Sequence, residues 1–264
     1  MLSSTWDYLF ETNKILAYGS LIFLLLTIIT LILIPLESRL VLGINLWIKP
    51  LKFSFSILIF LLTSLWMMEV IGYQGLKKDI LSWVLVATML FEIFCIIFQA
   101  GRGQLSHFNV TDPIGSVMFP LMAWAITIAY LVYALILIDS FRYPLSVSPS
   151  MLWAIRLGIL VFLFGLISGF MMGGRLQHTV GVPDGGPSLP FTNWSTVAGD
   201  LRVSHFLSIH AIQVLPIVAL ALTYLPKPVQ SNSLIIILST GGFYFLFTIA
   251  TLVQAILGKP FIRL

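Results

Sequence analysis

All four histidines of this chain fall in one part of the predicted structure, at or near the same end of its apolar helices. They are His107, His178, His205 and His210. Imidazole can bind a metal ion or haem iron, and it can take up and release a proton near neutral pH. The same part of the chain holds charged residues that suit an anion site or a metal site, namely Arg102, Arg175, Asp184 and Arg202. These residue types point to metal, anion or proton chemistry.

Helical spacing favours a proton relay. At about 100° per residue, Arg202, His205, His210 and Gln213 project within an arc of about 140°. Glu92 lies ten residues before Arg102, and His210 lies eight residues after Arg202. Both residues therefore sit about 12 to 15 Å below the helix ends that carry these arginines. We predict that Glu92 and His210 meet and carry protons, because intramembrane ionisable groups often mark such paths.

Three arginines predict an anion or substrate site. Arg102, Arg175 and Arg202 each stand at a predicted helix end, close to a histidine or a glutamine. Gln213, on the same helix face as Arg202, is the uncharged member of this predicted site. Because three guanidinium groups in one pocket repel one another, the pocket needs an anion or acidic partners.

A cofactor site is the alternative use of the histidines. His107, His178 and His205, with Asp184, are candidate ligands for a divalent metal. A haem with two histidine ligands is a further alternative. His205 and His210 diverge by about 140° on one helix, so these two cannot both be ligands of the same haem. Cys95 is the only cysteine, so a cysteine-based metal cluster cannot be built from this chain alone.

The elements that position these residues are membrane helices. The sequence has 264 residues, of which 59% are hydrophobic and 9% charged, against roughly 25% charged residues in soluble domains. Seven apolar stretches are long enough to cross a bilayer: 15–35, 53–73, 80–100, 117–138, 151–173, 202–225 and 234–257. They predict an all-α, polytopic membrane helix bundle formed as a single membrane domain, 1–264. We name the face at the N-terminus face A and the other face B, and an odd number of spans places the termini on opposite faces.

Two connections on face B are predicted to be ordered. Segment 38–52 is too short to span and carries Lys49 and Lys52 near Trp47, which predicts a short interfacial helix acting as an elbow. Segment 174–200 is long and rich in Gly and Pro, and it still contains apolar residues such as Phe191 and Trp194. Because disordered linkers usually lack such residues, we expect a polar cap folded over face B.

Four motifs together resemble a known family. They are WIKPLKF at 47–53, GRGQLSHFN at 101–109, HTVGVPDGGP at 178–187 and GDLRVSHFLSIHAIQVLP at 199–216. The set is similar to a family of bacterial integral membrane proteins with no assigned activity. The resemblance implies a protein of the bacterial inner membrane, and it supplies no catalytic residue.

Three functions are compatible with these observations. The first is a redox protein or enzyme that binds haem or a divalent metal. The second is a transporter or lipid- or anion-binding protein without a metal, and the third is a structural membrane subunit. The expected partners are the lipid bilayer and a small molecule. Nucleic acid is not expected, because the 14 Lys and Arg residues are scattered between apolar segments.

Overall fold

The computed structural model describes residues 2–264, with side chains from Trp6 onward. In this range the chain forms nine α-helices and two short antiparallel pairs of strands. The helices are α1 Leu2–Thr12, α2 Lys14–Leu33, α3 Ile48–Ile71, α4 Gly75–Gly101, α5 Pro113–Arg142, α6 Pro149–Arg175, α7 Leu201–Leu222, α8 Lys227–Ser231 and α9 Ser233–Ile256. The strands are β1 Leu40–Val41, β2 Ile44–Asn45, β3 Thr179–Val180 and β4 Gly199–Asp200, paired antiparallel as β1–β2 and β3–β4. A 3₁₀ turn, Ile34–Leu36, extends α2.

Seven of these helices are long and apolar enough to cross a membrane: α2 with its 3₁₀ extension, α3, α4, α5, α6, α7 and α9. The predicted all-α bundle with seven spans is confirmed. Several helices are longer than the apolar stretches that predicted them, because α3, α4 and α5 begin four or five residues earlier. This difference matters for α3, which includes Lys49 and Lys52.

Capping residues set several helix boundaries. The side chain of Asn13 accepts a hydrogen bond from Leu16 N and starts α2. Ser148 does the same for α6, which has Pro149 as its first residue. Gly72 ends α3 with φ of +77°, a conformation that favours glycine.

The chain divides into two compact units, Met1–Val132 and Tyr133–Leu264, and the boundary falls inside α5. In unit 1, α2, α3 and α4 pack together. Gly19 on α2 allows this close packing, because a Cβ there would lie 2.8 Å from Val86 and 3.2 Å from Leu61. Leu61, Leu65 and Leu85 are among the residues that fill the core of this unit.

In unit 2, α6, α7 and α9 pack together. Ala154, Leu215, Ala219 and Ile237 form a fully buried apolar cluster between them. Gly158 on α6 brings that helix against α7, since a Cβ at this position would lie 2.9 Å from the backbone oxygen of Ala211.

The elbow differs from the expectation. Segment 38–52 forms the β1–β2 hairpin followed directly by α3, and not a short helix of its own. Asn45 holds the hairpin by donating hydrogen bonds to the carbonyl oxygens of Ile34 and Glu37, at 3.0 and 2.7 Å. Lys49 and Lys52 therefore lie in the first turns of a membrane helix.

The long connection of unit 2 is ordered as expected. β3 and β4 close its ends, and Ser188 pairs with Ser195 within it. Trp194 packs edge-on against Phe206 and Phe261, which anchors the segment to the rest of the unit. Gly199 has no room for a side chain, because a Cβ there would lie 2.0 Å from the backbone oxygen of Ala255. We refer to this connection as the face-B cap.

Candidate functional site

Three side chains of unit 1 form a continuous polar chain that ends at a buried carboxyl group. Glu92 lies in α4 and is 1% exposed. The segment after α4 brings His107 back, so that its Nε2 lies 3.4 Å from Oε1 of Glu92. Lys49 in the first turn of α3 places Nζ 3.2 Å from Nδ1 of the same imidazole. We name Lys49, His107 and Glu92 the Lys–His–Glu chain.

The direction of the hydrogen bonds in the Lys–His–Glu chain follows from the chemistry of its groups. An ammonium group can only donate a hydrogen bond, so Nδ1 of His107 accepts and Nε2 carries the hydrogen that faces Glu92. Ser106 Oγ lies 3.2 Å from the same Nδ1 and shares that side of the ring. The neutral imidazole thus bridges an ammonium and a carboxyl group, with one nitrogen for each.

The surroundings of His107 keep it uncharged. The rings of Phe53, Phe108 and Phe119 lie 5.8 to 6.1 Å from its ring centre. Burial lowers the pKa of His107, and the positive charge of Lys49 lowers it further. Glu92 raises the pKa, but its effect is smaller. His107 is therefore neutral at pH 7 and able to accept a proton if Lys49 moves away.

Arg102 forms a second polar group at the same end of α4. Its Nη1 and Nη2 donate to the two carboxylate oxygens of Asp112, both at 2.9 Å, and Nη1 also donates to Gln99 Oε1 at 2.8 Å. The hydrogen bonds from Arg102, with one from the backbone of Gly115, lower the pKa of Asp112 to about 2. The negative charge of Asp112, in the same unit, therefore balances the positive charge of Arg102.

Two buried polar atoms of α4 have no hydrogen-bond partner among the described residues. They are Oε2 of Glu92 and Nε2 of Gln99. Seven residues, or about two helical turns, separate them on one helix face. An unsatisfied buried polar group costs about 1–3 kcal/mol. Each such group calls for an explanation, and ionisable groups inside membrane spans often mark proton or substrate paths.

In unit 2 the candidate residues organise the face-B cap. The carboxylate of Asp184 accepts hydrogen bonds from the backbone nitrogens of His178 and Thr179 and from the Thr179 hydroxyl, at 2.6 to 3.2 Å. The Nδ1 atom of His178 lies 3.2 Å from Asp184 Oδ1. His178 and Asp184, two predicted metal ligands, are thus together and bind each other within the cap.

Asp200 and Arg202 join the cap to α7. Asp200 is 1% exposed, caps α7 through Arg202 N and forms an ion pair of 2.6 Å with the Arg202 guanidinium. It also accepts from the backbone nitrogen of Ser195 at 2.8 Å. Arg202 donates in addition to the backbone oxygen of Asn193. Asp200 is therefore an acidic partner of Arg202, and the pair stabilises the cap.

The two histidines of α7 contact different neighbours. His205 places Nδ1 3.0 Å from the backbone oxygen of Gly165 and 3.2 Å from Ser168 Oγ, both on α6. His210 packs against the ring of Phe206, 4.4 Å between centres, and hydrogen-bonds with Gln213. These contacts tie α7 to α6 and hold His210 against its own helix.

The predicted groupings of residues are only partly tested by these contacts. Glu92 belongs to unit 1 and His210 to unit 2, so their pairing stays a prediction. Arg102 belongs to unit 1, whereas Arg175 and Arg202 belong to unit 2, so their convergence on one pocket also stays a prediction. Arg175 is exposed at the end of α6. Within unit 1, the partner that the structure gives to Glu92 is His107.

A metal site receives no support. Among the described residues, no group of three or more His, Cys, Asp or Glu side chains is arranged to hold a metal ion. His107 contacts Lys49 and Glu92, whereas His178 contacts Asp184 and His205 contacts α6. The predicted ligand set His107, His178, His205 and Asp184 is not gathered by any of these contacts.

Sequence reasoning missed two features. The first is the contact of Lys49 with His107, because the sequence placed Lys49 only in the interfacial elbow. The WIKPLKF motif was the available signal. The second is a cavity of about 210 Å³ at the opposite end of unit 1, which we name the face-A cavity. Its lining residues are Thr12, Asn13, Leu65, Met68, Glu69, Gly72, Tyr73, Gln74 and Lys78.

Comparison of the chain with protein-family models, with curated proteins and with solved structures finds no match. The resemblance to a family of bacterial membrane proteins therefore stays a prediction, and function has to be argued from the geometry.

Proposed function

We propose that this protein is a multi-pass protein of a bacterial inner membrane, with its termini on opposite faces, that couples proton movement to the transport of a small molecule. The observation that carries the proposal is the position of His107 between Lys49 Nζ and Glu92 Oε1, at 3.2 and 3.4 Å. A carboxyl group inside a membrane span is costly and often marks a proton path. Here the imidazole connects such a group to the end of the helix.

The proton step uses both nitrogens of the imidazole. When Lys49 turns away from His107, a proton from water at face B adds to Nδ1, and the proton on Nε2 passes to Glu92. The products are a neutral imidazole protonated on Nδ1 and a neutral Glu92. Lys49 acts as a gate, because its ammonium occupies the lone pair of Nδ1 that the incoming proton needs.

The alternatives have less support. A metal or haem protein needs ligands gathered at one place, and among the described residues no group of three or more His, Cys, Asp or Glu side chains is arranged to hold a metal ion. Anion binding by the arginines is disfavoured because Arg102 and Arg202 already bind Asp112 and Asp200. A purely structural subunit gives no reason for the unpartnered oxygen of Glu92 in the membrane interior.

Proton movement in vesicles tests the proposal. The purified chain is reconstituted with an entrapped pH-sensitive dye, and the outside is acidified with and without a mixture of neutral amino acids and sugars as candidate substrates. Valinomycin with K⁺ removes the membrane potential. We expect the wild-type chain to collapse the pH gradient at least tenfold faster than Glu92→Gln or His107→Gln. Glu37→Gln is the matched control, because Glu37 is bound to Arg39 and lies outside the Lys–His–Glu chain.

Two outcomes would overturn the proposal. In the first, Glu92→Gln moves protons as fast as the wild-type chain. In the second, wild-type vesicles keep their pH gradient as well as vesicles without protein, both with and without the candidate substrates, which would favour the structural-subunit alternative.

A further inference from the structure

The face-A cavity lies where four helices of unit 1 end or begin. Thr12 ends α1, Asn13 caps α2, Glu69 lies in the last turn of α3, and Lys78 lies in the first turns of α4. The side chains of Leu65 and Met68 supply an apolar part of its wall. The cavity therefore combines charged, polar and apolar groups in one place.

Its two charged side chains are of opposite sign and do not neutralise each other. Glu69 accepts a hydrogen bond from the hydroxyl of Tyr8, and Lys78 donates to the backbone oxygen of Thr12 at 3.1 Å. Glu69 and Lys78 form no ion pair with one another among the described residues. An ammonium group has three hydrogens to donate and a carboxylate has about four acceptor positions. Both groups thus retain capacity for a ligand.

The cavity is partly open to solvent and has room for a small ligand group. Its volume is about 210 Å³. Typical sites for drug-sized molecules have volumes of about 300–1,000 Å³. The cavity therefore suits a molecule of a few heavy atoms.

We propose that the face-A cavity binds a small zwitterion, with its ammonium group against Glu69 and its acidic group against Lys78. A free amino acid with a small apolar side chain fits, since the side chain can contact Leu65 and Met68. The inference rests on the proposed function and names its substrate class. The same two helices carry both sites, because α3 holds Lys49 and Glu69 while α4 holds Glu92 and Lys78.

A phosphoethanolamine headgroup shares this chemistry, so the experiment separates a free amino acid from a lipid. Binding of L-alanine to the purified full chain is measured by equilibrium dialysis and by thermal unfolding in detergent. Acetate and ethylamine serve as probes with one charge each, and phosphoethanolamine and micellar phosphatidylethanolamine represent the lipid. We expect L-alanine to bind at least tenfold more tightly than either single-charge probe.

Charge-removing variants locate the site. Glu69→Gln and Lys78→Met should each weaken L-alanine binding at least tenfold, while Asp79→Asn, next to Lys78 but outside the cavity lining, should not. If one variant fails to fold, Glu69→Asp and Lys78→Arg keep the charge and should retain measurable binding. Equal binding of acetate or ethylamine, or unchanged affinity in Glu69→Gln, overturns the proposal. Binding by the lipid headgroup alone overturns the amino-acid assignment.

The two proposals can fail separately. Glu92→Gln should abolish proton movement and leave L-alanine binding within threefold of the wild-type value. Proton movement that depends on Glu92, without L-alanine binding, would remove the zwitterion site and leave the proposed function. L-alanine binding without Glu92-dependent proton movement would contradict the proton coupling.

Discussion

At the scale of single residues, the protonation of His107 is controlled by a neighbour that approaches from another helix. Lys49 is 58 positions away in sequence, and its Nζ lies 3.2 Å from Nδ1 of the imidazole. Burial is the larger cause of the lowered pKa of His107, and the charge of Lys49 is the second. The charge of Lys49 can be removed by a substitution that leaves the imidazole ring of His107 unchanged.

We predict that Lys49→Met raises the pKa of His107 toward its ordinary value of 6.5. The physical reason is the loss of a positive charge that opposes imidazolium formation. The measurement is an NMR titration of the imidazole, assigned through His107→Gln. Lys52→Met, which removes a charge one turn further along α3, should change this pKa less. If the pKa of His107 is unchanged or lowered in Lys49→Met, the result would contradict the contact between Lys49 and His107 in the Lys–His–Glu chain.

We also predict that the stability of the wild-type chain falls as the pH drops below about 6.5, in part through His107. The unfolded state takes up a proton on this residue near its ordinary pKa, whereas the folded state resists protonation because its pKa is lowered. Thermal unfolding in detergent between pH 7.5 and 5 should show the loss. In His107→Gln the dependence on pH should be shallower, and an equal slope in both proteins would exclude His107 as its source.

At the scale of helices, close packing in unit 2 depends on a small residue. Gly158 and Gly174 both lie in α6, but a Cβ at Gly158 would lie 2.9 Å from the backbone oxygen of Ala211, whereas a Cβ at Gly174 would meet nothing within 4 Å. The two positions therefore form a matched pair for the same substitution.

Gly158→Ala should destabilise the protein by about 1–3 kcal/mol, because α6 and α7 must separate to admit the methyl group. Gly174→Ala should be neutral or stabilising by up to about 1 kcal/mol, because it lowers the entropy of the unfolded chain. Thermal unfolding followed by circular dichroism measures both. Equal effects of the two substitutions would show that the α6–α7 contact is not as close as the structure has it.

The face-B cap is held by side chains, so its order can be lost without loss of the helices. Asp184→Ala removes three hydrogen bonds to His178 and Thr179. We expect limited proteolysis within 181–189 to be at least tenfold faster in this variant, with Asp184→Asn intermediate because it keeps one acceptor oxygen. Rapid cleavage of the wild-type chain at the same sites would contradict an ordered cap.

At the scale of the whole molecule, the proposed function includes two termini on opposite faces of the membrane, which requires that all seven apolar helices cross it. Reporter domains that fluoresce only in the cytoplasm can be fused to either end. We expect one of the two fusions to fluoresce and the other to remain dark. Two bright or two dark fusions would mean that one of the seven apolar helices does not cross.

The sequence by itself determined the helical architecture. Apolar stretches of about 20 residues have one stable arrangement in lipid, because every backbone polar group must bond within its own segment. It also determined the ordered cap, since Phe191 and Trp194 need to be buried, and it pointed to Glu92 and His107 as residues with chemistry. The single membrane domain and the pairing of Glu92 with His210 stay predictions.

Only the tertiary structure decided which side chains meet. Helical periodicity fixes the face on which Glu92 lies, but not which residue comes to it, because that depends on helix rotation and on the path of the loop after α4. His107 and Lys49 reach Glu92 for this reason, and no spacing rule joins positions 49, 92 and 107. The face-A cavity is also a feature that only the tertiary structure decided. Glu69 and Lys78 look like ordinary residues of two helix ends, and they share a cavity because the break at Asn13 and the turn at Gly72 bring those ends together.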